Sequence, residues 1–237
     1  MNQESLLSII STVHSELGFP VPSAVITSTD KNVVTTLAFV RSACKDIHRE
    51  HDWNDLVKSY SFSTVDNQQT YTFPSDYGRG IEGTMWDLSN RWPVKPVTSV
   101  QWQILTAMNL VASPFERIKY MQNKMWFYPI PGGVYNLSLL YVSSDYVQSS
   151  AGTAQSDFEA DSDICLFDSQ LVTYLVKYKW YAKTGTDTTA VLADYQRTLA
   201  LCKGQDKVAP RLSLLPQRTK YISTQNYPDG NWVTSSP

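Results

Sequence analysis

Residues 30–73 read DKNVVTTLAFVRSACKDIHREHDWNDLVKSYSFSTVDNQQTYTF, and a change of period inside this stretch decides the fold. Val33, Leu37, Val40, Cys44, Ile47 and His51 recur by four and three residues, the spacing of one helical face and nearly that of a coiled-coil seam. Asp30 precedes them, and its carboxylate suits the N-cap, where first-turn N–H groups lack partners. The spacing predicts a long helix that packs on another helix. After Trp53 the period falls to two. Tyr60 and Phe62 alternate with polar residues, Asp66-Asn67 supplies a turn, and Tyr71 and Phe73 alternate again, which predicts a hairpin.

Toward the N-terminus, Leu6, Ile9, Ile10, Val13 and Leu17 mark a first helix, closed by Gly18. Toward the C-terminus, Ile81 to Trp86 and Trp92 to Val94 are short strand candidates. Thr98 and Gln101 form a capping box for a short helix reaching about Met108. A second hairpin joins Ile118–Met121 to Met125–Tyr128, and Leu137, Leu139 and Tyr141 alternate in a last strand. Residues 143–163, rich in Ser, Ala, Asp and Gly, read as a mobile acidic connection. Two helices follow. One shows Leu171, Tyr174, Leu175, Tyr178 and Tyr181 on a face and stops at Gly185. The other is capped by Asp187, carries Val191, Leu192, Tyr195, Leu199 and Cys202, and stops at Gly204.

The expected fold class is therefore α+β: a four-helix bundle with a β-rich domain inserted between helices two and three, and an extended C-terminal arm. The expected divisions are residues 1–56 and 164–204 for the bundle, 57–145 for the insertion, 146–163 for a linker and 205–237 for the arm. That last segment loses helical period and carries Pro210, Pro216 and Pro228. It also spaces Arg211, Leu212, Leu214, Leu215, Arg218, Lys220, Tyr221 and Trp232 along its length. A tail that stays solvated is poorer in such residues, so the composition reads as an arm that docks.

Of the 237 residues, 42% are hydrophobic and 18% charged, a mixture that favours a packed core over disorder. The net charge of -2 gives no basic footprint of the kind that grips nucleic acid. No leader is expected at Met1-Asn2-Gln3-Glu4, and no apolar run approaches the ~20 residues that span a bilayer, so no membrane partner is expected. Cys44, Cys165 and Cys202 fall in apolar helical patterns and read as small buried hydrophobes in a reducing compartment.

Catalytic signatures are sparse. Phosphate loops, dinucleotide fingerprints, nucleophile elbows and HExxH are missing from the sequence. His48 and His51 could share a helix face, yet no third ligand lies nearby, so neither metal nor cofactor is expected. Glu82 and Asp87 flank Met85-Trp86 and would suit a glycosidase pair, but core aromatics in a small sheet explain the run as well. Lys177-Tyr178-Lys179-Trp180-Tyr181 mixes cations with aromatics but spreads them around a helix, so it does not make one platform for stacking bases. Trp53, Trp86, Trp126, Tyr178, Trp180 and Tyr181 are read as core or subunit-contact positions.

The succession of motifs resembles a known family. Arg49-Glu50-His51-Asp52-Trp53 closes a long helix. Gln69-Thr70-Tyr71-Thr72-Phe73-Pro74-Ser75-Asp76-Tyr77, Gly83-Thr84-Met85-Trp86-Asp87 and Arg91-Trp92-Pro93-Val94 follow. Met125-Trp126-Phe127-Tyr128-Pro129-Ile130-Pro131, Lys177-Tyr178-Lys179-Trp180-Tyr181 and Asp194-Tyr195-Gln196-Arg197 complete the order. Over residues 1–205 this is similar to the head-to-tail adaptors of short-tailed bacteriophages, the tail tubular protein A and tail accessory factor group. The resemblance implies a non-enzymatic virion protein of the tail or neck, made in the host cytoplasm. It implies a dodecameric homo-oligomeric ring beneath the portal protein, with the next tail component (nozzle or tail tubular protein B-like) below it. It further implies a C-terminal arm on the portal and double-stranded DNA passing through the lumen without sequence-specific binding. A tail-associated cell-wall hydrolase and a host-glycan-binding module are the alternative functions.

Overall fold

The computed structural model describes residues 2–108 and 117–206. They form a mixed α+β protein with five α-helices and several sheets, divided into two compact units. The first unit comprises residues 2–57 and 143–206; the second lies within 58–142.

In the first unit, α1 (Leu6–Leu17) begins where the Ser5 hydroxyl accepts the Ser8 N–H, and ends at Gly18, whose φ of 75° suits a residue without Cβ. Helix α2 (Lys31–Glu50) begins where Asp30 accepts the Asn32 N–H at 2.7 Å. Its buried face is Val33, Thr36, Val40, Ala43, Cys44 and Ile47. Leu37 and His51, assigned to this seam from spacing, are only half-buried, and Thr36 and Ala43 take their place. A hydroxyl is tolerated there because three neighbours satisfy it. Thr36 Oγ1 lies 2.9 Å from the Asn32 carbonyl, accepts the Trp180 indole N–H at 3.1 Å, and lies 3.0 Å from His14 Nε2.

A 3-10 turn (Asn54–Leu56) follows Trp53, which is buried and donates its indole N–H to the Ile47 carbonyl at 2.8 Å. Helix α4 (Ser169–Thr184) packs against α1, α2 and α5 (Thr189–Asp206). Because three helices surround it, its buried residues are Leu171, Val172, Thr173, Leu175, Val176 and Trp180, while Tyr174, Tyr178 and Tyr181 are half-buried. The face expected from aromatic spacing is therefore rotated. Gly185, with φ of 74°, terminates α4 as expected. Helix α5 does not stop at Gly204; it runs to Asp206, so Gln205 and Asp206 belong to the helix and not to an arm.

The segment expected as a linker, residues 146–163, is instead built into this unit. Strands β10 (Val147–Gln148), β11 (Ala154–Gln155) and β12 (Ile164–Cys165) form a three-stranded antiparallel sheet, and Tyr146, Phe158 and Asp163 are buried. Its acidic residues act as internal acceptors. Asp161 takes the Val25 and Ile26 N–H groups at 3.0 and 2.8 Å, and Asp163 takes those of Glu159 and Ala160, both at 2.7 Å. Arg41 of α2 pairs with Asp157 at 2.9 Å and donates to the Phe158 carbonyl at 2.8 Å. Composition alone does not distinguish such capping carboxylates from solvated ones.

In the second unit, β1 (Val57–Ser63), β3 (Tyr77–Gly80), β4 (Trp86–Asp87), β5 (Trp92–Pro93) and β9 (Asn136–Ser143) make a five-stranded sheet. Strands β2 (Thr70–Thr72), β8 (Lys124–Tyr128), β7 (Arg117–Met121) and β6 (Lys95–Pro96) make a four-stranded one. The hairpin expected across Asp66-Asn67 does not form: β1 pairs with β9 and β2 with β8, in different sheets. Tyr71 explains the turn differently. Its hydroxyl reaches the Val65 backbone and the Gln68 carbonyl, and its ring packs 5.3 Å from Phe62. The strand expected over Ile81–Trp86 is interrupted by a turn at Gly83, φ 75°. The second hairpin forms, with Met121 opposite Lys124 and positive φ at Gln122 and Asn123 (53° and 56°), the geometry of a two-residue loop that matches strand twist. The core is Tyr71, Met85, Val94, Ile118, Met125, Phe127, Leu137, Leu139 and Tyr141. Helix α3 (Ser99–Ala107) starts with the expected Thr98–Gln101 capping box and buries only Trp102, which packs against Tyr128 at 6.2 Å.

Candidate functional site

The histidines, Asp87 and the α4 lysines read from the sequence as chemical candidates are engaged in architecture. His48 and His51, three residues apart, go to different partners. His48 Nε2 lies 2.8 Å from the Ser143 carbonyl, and His51 Nε2 lies 3.1 Å from Asp206 Oδ2. Among the described residues no three His, Cys, Asp or Glu side chains gather as a metal group. Asp87 is fully buried and accepts hydrogen bonds from the Ser89 N–H, the Asn90 N–H and the Asn90 side-chain amide at 2.8, 3.0 and 2.7 Å. That carboxylate stabilises a turn and cannot reach a sugar opposite Glu82, which lies at the surface beside a cavity of about 220 Å³.

The cation–aromatic run on α4 is likewise dispersed. Lys177 pairs with Glu16 at 2.7 Å, Lys179 with Asp46 at 2.6 Å, and Lys183 lies over the Phe39 ring of α2 at 5.7 Å. These contacts lead toward α1 and α2, so the run stitches helices together. Trp53 and Trp180 are core residues; Trp86, Trp126, Tyr178 and Tyr181 are half-buried.

The three thiols are buried and unpaired. The Cys165 thiol, 3.7 Å away and hydrogen-bonded to it, and then burial push the Cys44 thiol well above the usual range. Burial pushes Cys202 upward as well. A neutral thiol is a poor nucleophile, so these positions serve packing.

The most constructed feature is the end of α5. Asp206 accepts the Asn54 backbone N–H at 3.2 Å and faces His51 at 3.1 Å. The Asn54 amide also donates to its carbonyl, and Lys203 pairs with Glu50 at 3.0 Å. The side chain of Asp206 is only 4% exposed. The corner after α2 thus holds Asp206 of α5 in place. The residues assigned to a docking arm (Arg211, Leu212, Leu214, Leu215, Arg218, Lys220, Tyr221 and Trp232) lie outside the described residues. Sequence reading missed Asp206; the signal was a charged residue two positions past a glycine that did not end its helix.

Charge is divided between the units. The described residues of the first carry 9 Lys/Arg and 16 Asp/Glu, a balance of -7; those of the second carry 7 and 4, a balance of +3. None of the described helices is long and apolar enough to cross a membrane.

The SU10 adaptor protein family matches residues 6–215. The chain belongs to this family of phage head–tail adaptors and is a bacteriophage structural adaptor. The family is structural and not enzymatic, and membership implies interaction with portal and tail components in the virion neck. No curated protein matches the chain.

Proposed function

We infer that the chain is the head-to-tail adaptor of a short-tailed phage, of the tail tubular protein A or tail accessory factor kind. In this reading copies form a ring, a dodecamer, beneath the portal and connect the capsid to the tail. Helices α1, α2, α4 and α5 act as one bundle in the ring wall. The inserted β-rich unit meets the next tail component, and double-stranded DNA passes through the lumen during packaging and ejection. The match to the adaptor family along residues 6–215 is the observation that carries it. An acidic helical unit is consistent with DNA passage, because a lumen dense in Lys and Arg would retain DNA through counterion release. Residues 207–237 are assigned as the arm that docks on the portal, and the basic and apolar positions spaced from Arg211 to Trp232 support this.

The test is a truncation. Removing residues 207–237 leaves Asp206 and every described contact in place, so the helical signal by circular dichroism is expected to be unchanged. Portal binding in a pull-down is expected to be lost. Negative-stain images of the full chain with its portal are expected to show a ring. A truncated chain that still assembles on portals with undiminished affinity would remove the arm from the proposal, and a full chain that forms no ring on the portal would remove the ring.

A further inference from the structure

Helix α3 has no charged residue in SVQWQILTA, although it lies at the surface. Val100, Ile104 and Met108 follow at intervals of four, which places them within one ~80° arc of a helix. They are 70%, 46% and 68% exposed, whereas Trp102, on the other side, is buried. A groove of about 390 Å³ runs beside this stripe; the described residues that line it, Lys95, Pro96, Val97, Gln101, Ile104, Leu105 and Arg117, include two cations and no anion. Lys119 adds a third positive charge, its ammonium 2.9 Å from the Ser99 hydroxyl at the first turn of the helix. A contiguous apolar stripe on a surface helix marks an interaction site, and its rim sets which partner is admitted.

We propose that the α3 stripe and its groove dock a protein segment that carries apolar residues flanked by carboxylates, supplied by the tail component that follows the adaptor. The proposal rests on the adaptor reading above. Charge selects the occupant. The described residues of the unit that carries the stripe have a balance of +3, so a symmetric stripe-to-stripe contact would oppose like charges. A ring contact with a neighbour's acidic helical unit would not, and loss of ring formation in Val100→Glu is the outcome that identifies it. A nucleic-acid backbone would match the cations but leave Val100, Ile104 and Met108 uncovered. An acidic segment with apolar anchors satisfies both features.

The experiment uses the full chain, its portal and the purified tail component of the same phage. Val100→Glu places a carboxylate on the most exposed stripe position, where no core contact is disturbed, and Lys95→Glu/Arg117→Glu reverses the rim. Each is expected to weaken binding of the tail component at least tenfold, while ring formation and portal binding remain as in the parent. Parent binding is expected to weaken as salt rises from 50 to 300 mM. In parallel, a photo-crosslinker at position 100 is expected to attach to an acid-flanked peptide of the tail component. Unchanged tail binding in Val100→Glu overturns the inference alone. Loss of ring formation in Val100→Glu also overturns it, since the stripe would then be a contact between copies. A crosslink to residues 109–116 of the same chain overturns it by showing the stripe already covered, and a crosslink to DNA overturns the choice of a protein occupant. A parent chain that binds neither portal nor tail component overturns the adaptor reading together with the inference.

Discussion

Replacing Thr36 with valine tests whether the hydroxyl at the meeting of α1, α2 and α4 holds the helical unit together. The exchange is nearly isosteric, so it removes hydrogen bonding with little change of volume. Thr36 is fully buried, as are His14 and Trp180. His14 Nδ1 lies 2.9 Å from the Pro20 carbonyl, which can only accept, so Nδ1 carries hydrogen and Nε2, an acceptor, takes the single Thr36 hydroxyl hydrogen at 3.0 Å. Without the hydroxyl, the Trp180 indole N–H and His14 Nε2 each lose their partner in a dry site. A buried polar group left unpaired costs about 1–3 kcal/mol. The added methyl returns roughly 0.8 kcal/mol of apolar burial. The net expectation for Thr36→Val is a loss of about 3 kcal/mol, which for a chain this long lowers the melting temperature by roughly 6–12 °C. The assay is urea unfolding followed at the helical circular-dichroism band, with an unchanged m-value. Trp180→Phe removes the indole donor beforehand, so Thr36→Val in that background should cost about 1–2 kcal/mol less than in the parent. A single-mutant cost below 0.5 kcal/mol, or strict additivity in the cycle, would refute the assignment of the hydroxyl as the shared partner.

Asp163→Ala removes a buried carboxylate that accepts two N–H groups at 2.7 Å, so a loss of about 2–4 kcal/mol and faster amide exchange at Glu159 and Ala160 are expected; unchanged exchange would contradict the capping role. The three thiols should stay unreactive toward an aromatic disulfide reagent at pH 8 until denaturant is added; stoichiometric labelling of the native chain would contradict their burial. Because Cys44 and Cys202 have raised pKa values in the folded chain, their contribution to stability is present below the unfolded thiol value of 9.0 and is lost as pH rises toward the folded value. Unfolding free energy should therefore fall above about pH 9, and the fall should shrink in Cys44→Ala.

Local chemistry was legible where a single residue dictates a backbone conformation. Gly18 and Gly185 end helices in the left-handed region, Asp30 caps α2, and the Thr98–Gln101 box opens α3. What failed was non-local. Leu37 is the better hydrophobe, yet Thr36 occupies the seam because His14 and Trp180, 22 and 144 residues away, satisfy its hydroxyl. Tyr60, Phe62, Tyr71 and Phe73 alternate as a hairpin should, but alternation fixes only which side chains share a face. It does not fix which strand lies alongside, and β1 and β2 chose β9 and β8. The carboxylates of residues 157–163 looked solvated because their partners are backbone N–H groups, which leave no trace in composition. On the site side, the stripe Val100, Ile104 and Met108 was present in the sequence at helical spacing. The capping box identifies a helix there without showing which face the rest of the chain buries.

The two histidines first weighed as metal ligands have a simpler place in the architecture. The inserted unit leaves the helical unit through β1 and returns through β9, and these strands are neighbours in one sheet. Their side-chain contacts run in opposite directions, Ser61 to Ser138 and Ser63 to Asn136, so the strands are antiparallel and the two ends of the insertion, near Val57 and Ser143, come together. The entropy of closing that long loop, which grows with the logarithm of its length, is therefore met by strand pairing inside the insertion itself. At the point of return, the buried Ser143 offers its carbonyl to His48, on the last turn of α2. His51, one residue beyond α2, faces Asp206, the last residue of α5. The end of α2 thus meets both Ser143, where the chain re-enters the helical unit, and Asp206 of α5. Polar hydrogen bonds of this kind hold α2, Ser143 and α5 in a fixed geometry within the helical unit, which a loosely packed apolar contact would not.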